Sequence, residues 1–244
     1  YRVWLEKIAN TIFLADFPAM IGFQEVEHIG VLEDIAEHSI LQALDYQAVL
    51  IEGTDSRGID VGYLVRGDVL INNVQLFPAP NELTPRPPLL LEVQIDLETD
   101  TRTIFLLNNH FLSMSGGEKA TEPRRTAQAA WNGELVNQIL QENPDAFVIV
   151  MGDLNSYYDS PPIDTLRSVG LVHAFDRLSP EERYTYIYQG IAQVLDHILV
   201  NELYEDSISS VDILHVNADY PLQMPGDTSV LHKSDHDPVV VTFR

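Results

Sequence analysis

The chain has 244 residues, of which 45% are hydrophobic and 21% charged, a composition typical of a globular protein with a sizeable core. The absence of cysteine excludes disulfides and thiolate metal sites, and no run of 18 apolar residues predicts a membrane-spanning helix. The net charge of −23 disfavours tight binding of a polyanion, so a phosphate-binding surface would have to be local and assisted by bound cations.

The first part of the chain predicts strands with two helices among them. Apolar residues recur at helical spacing in the segment YRVWLEKIANTI, which predicts an amphipathic helix over residues 1–12. Short buried runs further along predict strands, and one longer run predicts a second helix. The strands are expected at 19–26, 46–52, 60–66 and about 69–77, and the second helix at 29–44.

Proline punctuates the rest of the chain. Residues 78–88 carry five prolines and are predicted to form a loop. Two long strands flank the turn LETDT as a hairpin, and a helix is predicted from Arg124 to about Glu142. The hairpin strands are expected at 89–96 and 102–110, and later strands at 146–155, 193–200, 207–216 and 237–243. Hairpin and crossover connections together indicate an α/β sandwich in one domain.

Polar residues collect where these predicted strands end. Such positions are where a rigid sheet presents reactive groups, although each of these residues alone fits an ordinary turn or a structural histidine. Asp196 is the most informative, because an aspartate inside the apolar run VLDHILV is costly to bury without a partner, which a histidine would supply. The residues concerned are Glu25, His110, Asp153, Asn155, Asp196, Asp235 and His236.

The motifs around these residues carry a family resemblance. QEVE, NNHFLS, MGDLNS, LDHIL and SDHDPV resemble, in order and rough spacing, the endonuclease/exonuclease/phosphatase superfamily, which includes deoxyribonuclease I and exonuclease III. The resemblance runs from about Phe17 to Phe243, and the segments DSRGIDVGYLVR and GGEKATEPRR resemble bacterial, often secreted, members. It implies a four-layer α/β sandwich, with two mixed β-sheets packed face to face and helices outside, in a secreted or cell-surface protein; a cytoplasmic one is the alternative.

The resemblance also implies a metal site. Glu25 would hold a divalent cation, Asp235 would lie at or beside it, and Asp153 with Asn155 would hold the attacking water and a phosphate oxygen. The chain's hard oxygen donors suit Mg²⁺ or Mn²⁺, with Ca²⁺ as an alternative. Members of the superfamily usually begin with a strand that carries a metal-site Asn, and this residue is expected upstream of Tyr1.

The remaining implied roles belong to histidines. His236 would be oriented by Asp196 and would act on the nucleophile or the phosphate. His110 would face the scissile phosphate and assist the leaving group, with Asp60 orienting it. A His–Asp pair fixes the imidazole tautomer, and a positioned acid or base contributes about 10²–10⁴-fold in rate.

Two groups are predicted to contact the substrate. With Pro123 as the first helical residue, Arg124 and Arg125 fall in the first helical turn, where they either form surface ion pairs or bind a phosphate. Lys119 and Arg57 would join them in the second case. Tyr157 and the tyrosine after it either stack on a base or pack within their loop.

Three functions remain open at this point. The first is a nuclease that cleaves phosphodiester bonds of a nucleic acid by in-line attack of an activated water. The second is a phosphatase, or a lipid or inositol phosphodiesterase, although Tyr157 stands where inositol phosphatases carry a basic residue and no apolar membrane-contacting hairpin is evident. The third is a non-catalytic, cation-binding module. None of the three requires a protein partner.

Overall fold

The computed structural model describes residues 1–96, 101–220 and 226–244, in which thirteen strands and four helices are found. None of the described helices has both the length and the apolarity needed to cross a membrane. The helices are α1 (Arg2–Leu14), α2 (Ile29–Ala36), α3 (Glu118–Glu142) and α4 (Pro161–Arg167). The strands are β1 (Met20–Val26), β2 (Gln47–Leu50), β3 (Asp60–Val65), β4 (Leu70–Leu76), β5 (Leu89–Asp96), β6 (Thr101–His110), β7 (Phe147–Asp153), β8 (Leu171–His173), β9 (Tyr186–Tyr188), β10 (Ile191–Gln193), β11 (Asp196–Asn201), β12 (Ile208–Ile213) and β13 (Val239–Phe243).

The largest sheet has six strands in the order β4-β5-β6-β7-β11-β8. It is mixed, because β6 and β7 run parallel while the other neighbours run antiparallel. The predicted hairpin is confirmed as β5 and β6; residues 97–100 of its turn lie outside the described residues. The smaller sheets are antiparallel: β1-β3-β2, the pair β12-β13, and the short hairpin β9-β10.

Side chains alternate along each strand, so the large sheet packs on both of its faces and the fold has four layers. Alternate residues of the large sheet, such as Leu106 and Ile149, pack against β3 and β12 in one core. Their neighbours Leu107 and Val150 pack on the other face against α3 and α4. Helices α1 and α2 cover the outer side of the β1-β3-β2 sheet. This arrangement confirms the predicted α/β sandwich.

Two predicted helices have different bounds in the structure. The second ends at Ala36 instead of residue 44, because the ring of His38 accepts the Ile40 amide and so competes with the helical ladder. A short 3₁₀ turn follows at Gln42–Leu44.

Helix α3 begins six residues before the predicted start. Gly117, with φ of +97°, breaks the preceding turn, and the helix starts at Glu118. Pro123 is therefore the sixth helical residue rather than the first, where it removes one amide from the hydrogen-bond ladder. Arg124 and Arg125 consequently lie outside the first turn, and the prediction that placed them there was wrong.

Four short elements carried no sequence prediction. Helix α4 has seven residues with Pro161 and Pro162 in its first turn, and β8, β9 and β10 have three residues each. Helix α4 spans just under two turns, and a three-residue strand shows one and a half alternations, which is too short for either pattern to be recognised. They were missed for that reason.

Candidate active site

Three polar residues form a row across the end of the large sheet. In the parallel pair β6–β7, His110 lies opposite Asp153, and in the antiparallel pair β7–β11, Asp153 lies opposite Asp196. Cross-strand partners point to the same face of a sheet, here the inner face that carries Leu106, Ile149 and Ile198. Strand register therefore brings together three residues that are far apart in sequence.

His236 joins this row from the loop before β13. Its Nδ1 lies 2.7 Å from Asp196 Oδ2, and a backbone bridge pairs it with Tyr186. The side chain is 25% exposed, and among the described residues no hydrogen bond involves its Nε2. The geometry leaves this nitrogen available to a ligand. Asp235, the preceding residue, is exposed and raises the pKa of His236.

Asp153 and Asn155 are held in a tight loop after β7. The backbone amide of Asn155 donates to Asp153 Oδ1 at 2.8 Å, and its carboxamide donates to Asp153 Oδ2 at 2.9 Å. Asn155 has a φ of +45°, a conformation that asparagine tolerates better than most residues. Both side chains are buried. The His110 Nε2 atom lies 3.4 Å from Asp153 Oδ2.

The close packing of these groups shifts their pKa values in opposite directions. Burial and the neighbouring Asp196 raise the pKa of Asp153. Burial lowers the pKa of His236, but Asp196, Asp153 and Asp235 raise it to about 10. Burial, Arg86 and Arg57 lower the pKa of His110 to about 3. Near neutral pH the site therefore holds one cationic and one neutral imidazole.

The donor set fits a hard divalent cation. Carboxylate oxygens of Asp153 and Asp196 lie within 4.8 Å of each other beside His236, and carboxylate oxygens are preferred ligands of Mg²⁺. The cationic ring of His236 would not itself be a ligand. The raised pKa of Asp153 reflects two carboxylates in a buried space, an arrangement that a cation would relieve. Glu25 and Asp235, the predicted metal ligands, are not in this group.

Glu25 projects from an irregularity in β1. The register of β1 against β3 shifts between Phe23 and Val26, and Glu25 has a φ of +58°. Such bulges re-aim side chains next to functional sites. Glu25 Oε1 lies 3.8 Å from Arg57 Nη1, and Arg57 in turn affects the pKa of His110, so all three residues share one neighbourhood.

Asp60 does not contact His110 in this structure. Its Oδ1 accepts the Gly53 amide at 2.8 Å, and burial raises its pKa. The Nδ1 atom of His110 is buried and has no hydrogen-bond partner in the part of the chain that the structure describes. The expected orientation of His110 by Asp60 is thus not observed, because the side chain of Asp60 is directed to the loop before β3.

The residues predicted to contact substrate are divided between surface and interior. Arg124 is exposed and donates to the carbonyls of Glu82 and Leu83, and Lys119 is exposed. Arg125 is buried and donates to Thr121 Oγ1 and to the carbonyl of Glu118, which removes it from a surface phosphate site.

The two tyrosines after Asn155 are both half-buried. Burial lowers the pKa of Arg125, and Tyr157 lies close enough to oppose that effect. The Tyr158 ring lies between the guanidinium groups of Arg167 and Arg183, at 4.6 and 4.9 Å. For Tyr158, these contacts favour packing within the loop over stacking on a base.

A buried ion pair beside His110 was missed from the sequence. Arg86 bonds to Asp55 and donates to the carbonyls of His110 and Phe111 at 3.2 and 3.0 Å. Asp55 also accepts from Arg57 Nε. Burial raises the pKa of Asp55, but its bonds to Arg57 and Arg86 lower it to about 2. The only sequence signal was an arginine among prolines in TPRPP.

A second His–Asp pair was also missed. Asp237 is buried and accepts the amides of Asn217 and Ala218 and the Nδ1 of His215. Consecutive residues of the SDHDP motif thus face different surroundings: His236 points to the site, and Asp237 anchors the adjacent loop.

Solved structures of similar shape support the fold. Truncated TDP2 from Caenorhabditis elegans aligns with a TM-score of 0.71 and 21% identity, covering 98% of this chain and 89% of that one. The mannosyl-6-phosphatase of Bacteroides thetaiotaomicron aligns at 0.67 and 18%, covering 98% and 90%. TDP2 from D. rerio, complexed with single-strand DNA product, aligns at 0.63 and 18%, covering 100% and 92%. No curated protein shows a significant match to the sequence.

An α/β sandwich with carboxylates and histidines at one end of its large sheet is the architecture of metal-dependent phosphoesterases. The chain belongs to the endonuclease/exonuclease/phosphatase family, whose model matches residues 1–219. It is therefore a member of a family of hydrolases that act on phosphate esters and use divalent metals, as the resemblance predicted.

Proposed function

We propose that this chain is a nuclease that hydrolyses phosphodiester bonds of a nucleic acid by in-line attack of an activated water. The observation that carries the proposal is the row of His110, Asp153 and Asp196 with His236 bonded to its end. A cation would be held beside this row by carboxylates, with Mg²⁺ or Mn²⁺ as the expected ion and Ca²⁺ as an alternative. A bound cation would offset the phosphate charge and orient the ester.

Asp153 is proposed to handle the attacking water. Its raised pKa makes the carboxylate a stronger proton acceptor than an exposed aspartate. The carboxamide nitrogen of Asn155 donates to the same carboxylate and to the Phe111 carbonyl, which leaves its oxygen as an acceptor at the same place. Together they would align the water for in-line attack.

His236 is proposed to stabilise the phosphate. Its Nδ1 donates to Asp196, and Nε2, which carries a second proton when the ring is cationic, faces the open side of the site. With a pKa of about 10 the ring is cationic at neutral pH and would donate to a phosphate oxygen as negative charge develops there. Neutral His110, on the other side of Asp153, would donate a hydrogen bond to the leaving oxygen, which would take its proton from water.

The metal ligands are proposed to extend beyond the clustered group. Glu25, re-aimed by the bulge in β1, and Asp235, beside His236, remain the proposed additional ligands, as the family resemblance implies. Asp60 is retained only as a proposed supporting residue for the loop before β3.

Local positive charge supports an anionic substrate despite the net charge of −23. Arg57 is 55% exposed, lies near Glu25 and affects the pKa of His110. Asp55, which is itself bonded to Arg86, holds Arg57 in place. Arg124 adds an exposed cation at the surface of α3. These groups would bind phosphates next to the cleaved one, which favours a substrate with several phosphates.

An aromatic hairpin beside His236 favours a substrate with bases. The Tyr186 ring centroid lies 4.8 Å from that of His236. At the tip of the same β9–β10 hairpin, Tyr188 and Ile191 face each other across the strands and are 53% and 63% exposed. Aromatic side chains next to a phosphate site stack on unpaired bases. Tyr157 remains a further candidate for such a contact.

A phosphatase is the second candidate. The similarity to a bacterial mannosyl-6-phosphatase is nearly as strong as that to TDP2, and the acidic surface disfavours long polyanions. Secretion from a bacterial cell, and one domain spanning residues 1–244, remain further proposals. The segments DSRGIDVGYLVR and GGEKATEPRR support the first, and the continuous cores on both faces of the large sheet support the second.

The test is hydrolysis of single-stranded DNA, plasmid DNA, RNA, a p-nitrophenyl phosphodiester and mannose 6-phosphate, with Mg²⁺, Mn²⁺ or Ca²⁺ and with EDTA. We expect EDTA-sensitive cleavage of a nucleic acid, lost in His236→Ala and Asp153→Ala but retained in His38→Ala, which alters a histidine in the turn after α2. Hydrolysis of the phosphomonoester alone would establish the phosphatase instead. No hydrolysis of any ester would favour a cation-binding module.

A further inference from the structure

The opposite face of the same strands, behind the row of His110, Asp153 and Asp196, holds two histidines that are joined in a continuous series of hydrogen bonds. Side chains alternate along a strand, so Asp196 faces the site while His197 faces the helices, opposite Gly152. His197 Nδ1 lies 2.8 Å from Nε2 of His173, a residue of β8. Both rings are buried, each about 1% exposed.

The hydrogen bonds of this series fix the direction of every proton. The Phe175 amide donates to His173 Nδ1 at 3.0 Å, so the proton of that ring lies on Nε2. His173 Nε2 then donates to His197 Nδ1, which leaves the proton of His197 on its own Nε2. This last proton is donated to the carbonyl of Ser156 at 2.8 Å.

This series of hydrogen bonds ends on the loop that carries Asp153 and Asn155. Ser156 follows Asn155 directly, is buried, and donates its hydroxyl to the carbonyl of Leu154. The carbonyl that His197 holds is therefore adjacent to the residue with positive φ that bonds to Asp153.

The surroundings of this series favour neutral rings. The ring of Tyr158 packs 4.9 Å from that of His173, and Arg167 and Arg183 lie on Tyr158. Burial, His197, Arg167 and Arg183 lower the pKa of His173 far below its usual range. Burial lowers the pKa of His197 to about 4, against the opposing effects of Ser156 and Asp196.

We propose that His173 and His197 are positioning residues for phosphoester hydrolysis, which together fix the backbone of the Asp153–Ser156 loop from the side away from substrate. The inference rests on the proposed function for its activity test, but not for its structural one. Neither ring touches the reacting atoms. Their effect passes through the Ser156 carbonyl to Asn155, and from Asn155 to the carboxylate of Asp153.

A physical requirement follows from the order of donors and acceptors. If either ring carried its proton on Nδ1 instead, that N–H would face another N–H group, and its Nε2 would lack the proton that its partner accepts. The loop would then lose its anchor, and a displacement of about 1 Å in a reacting group costs on the order of 10²-fold in rate. The hydrogen bonds thus hold the loop only with both protons on Nε2.

The structural test is imidazole ¹⁵N NMR on the protein without substrate. We expect His173 and His197, assigned by the signals that His173→Gln and His197→Gln remove, to carry their protons on Nε2. A proton on Nδ1 and none on Nε2 of either residue would overturn the proposal. This result does not depend on which ester the protein hydrolyses.

The activity test compares two substitutions of His197. A glutamine carries an acceptor and a donor about as far apart as the two ring nitrogens, so His197→Gln should keep kcat within about fivefold, the effect of one imperfect hydrogen bond. His197→Leu has no donor for the Ser156 carbonyl and should lose about 10²-fold in kcat, with a smaller change in KM.

The matched control is Asn201→Leu on the same strand. Asn201 is buried and makes two hydrogen bonds, to Val148 and Ala146, at the other end of β11. It should lose stability but keep kcat. A folded His197→Leu protein with the kcat of wild type would overturn the positioning role, and so would an equal loss of kcat in Asn201→Leu. If His197→Leu does not fold, His197→Gln and the NMR measurement decide.

Discussion

The two faces of the large sheet use the same kinds of residue differently at the ends of β6, β7 and β11. On the inner face, neither Nε2 of His236 nor Nδ1 of His110 has a hydrogen bond to any of the described residues. On the helix side, the two rings of His173 and His197 use all four nitrogens. A reactive histidine keeps a nitrogen free for a ligand, whereas a structural one has none left.

The largest effect is expected from breaking the inner face. Asp196→Asn keeps the size of the side chain but removes the charge that holds His236 cationic. We expect hydrolysis to fall by about 10²–10⁴-fold while circular dichroism stays unchanged. Asp212→Asn, an exposed change on β12, is the control and should keep full activity. Equal rates in both variants would remove the His–Asp pair from the mechanism.

The next largest effect is expected at Gly152, which lies between Asn109 of β6 and His197 of β11 in the large sheet. Gly152 has a φ of +125°, and a Cβ atom there would lie 2.1 Å from the backbone oxygen of Asn109 on β6. Gly152→Ala should therefore lower the free energy of unfolding by about 3 kcal/mol or more, measured by urea denaturation. Gly58→Ala, at a positive φ but with no atom within 4 Å, should cost only about 1 kcal/mol. Similar losses would mean that the clash is relieved by movement of β6.

Acid should lower the stability that His197 contributes on the helix side of the large sheet. The pKa of His197 is about 4 in the folded chain and about 6.5 when unfolded. Between these values the unfolded chain binds more protons than the folded one. The contribution of His197 to the free energy of unfolding is therefore complete above pH 6.5, and about 3 kcal/mol of it is lost as the pH falls toward 4. Asp153, with its raised pKa, changes stability in the opposite direction.

The measurement is consequently a difference between two proteins. The urea-unfolding free energy of wild type should fall more steeply from pH 6.5 to 4.5 than that of His197→Gln, which has no titrating group at this position. Parallel curves would show that His197 is protonated at little cost. His236 does not contribute to this window, because its raised pKa gives stability that is lost only as pH rises toward 10.

The smallest effect is expected at the hairpin beside the inner face. Tyr188→Ala should raise KM for single-stranded DNA by about fivefold or more, the lower end of one stacking interaction. It should leave hydrolysis of a p-nitrophenyl phosphodiester unchanged, because that ester has no base to stack. Phe13→Ala, an exposed aromatic on α1, is the control. Equal effects on both esters would argue against a base contact.

Much of the fold was predictable because local patterns and packing agree. The hairpin of β5 and β6 and the strand β7 appear where alternation and apolar runs placed them. The start of α3 was not predictable from Pro123, since a proline in the sixth position leaves the helix intact there. Short elements such as α4 depend on packing against α3, not on a pattern of their own.

The residues of the candidate site could be predicted from the sequence, but their contacts could not. The polar ends of β6, β7 and β11 named His110, Asp153 and Asp196, because an ionisable residue at the end of an apolar strand needs a reason. The ion pair of Asp55 and Arg86 had no such signal, since both residues lie in loops. Loops converge only through the fold.

The sequence by itself determined which residues end the strands, and strict alternation then set which side of the sheet each one faces. This is why Asp196 and His197, adjacent in the chain, could only serve opposite faces. Tertiary structure decided their partners. Asp196 bonds to His236, and His197 bonds to His173 and to the Ser156 carbonyl, each more than twenty residues away in the sequence. Such long-range pairs exist only after the layers have packed and excluded water from them.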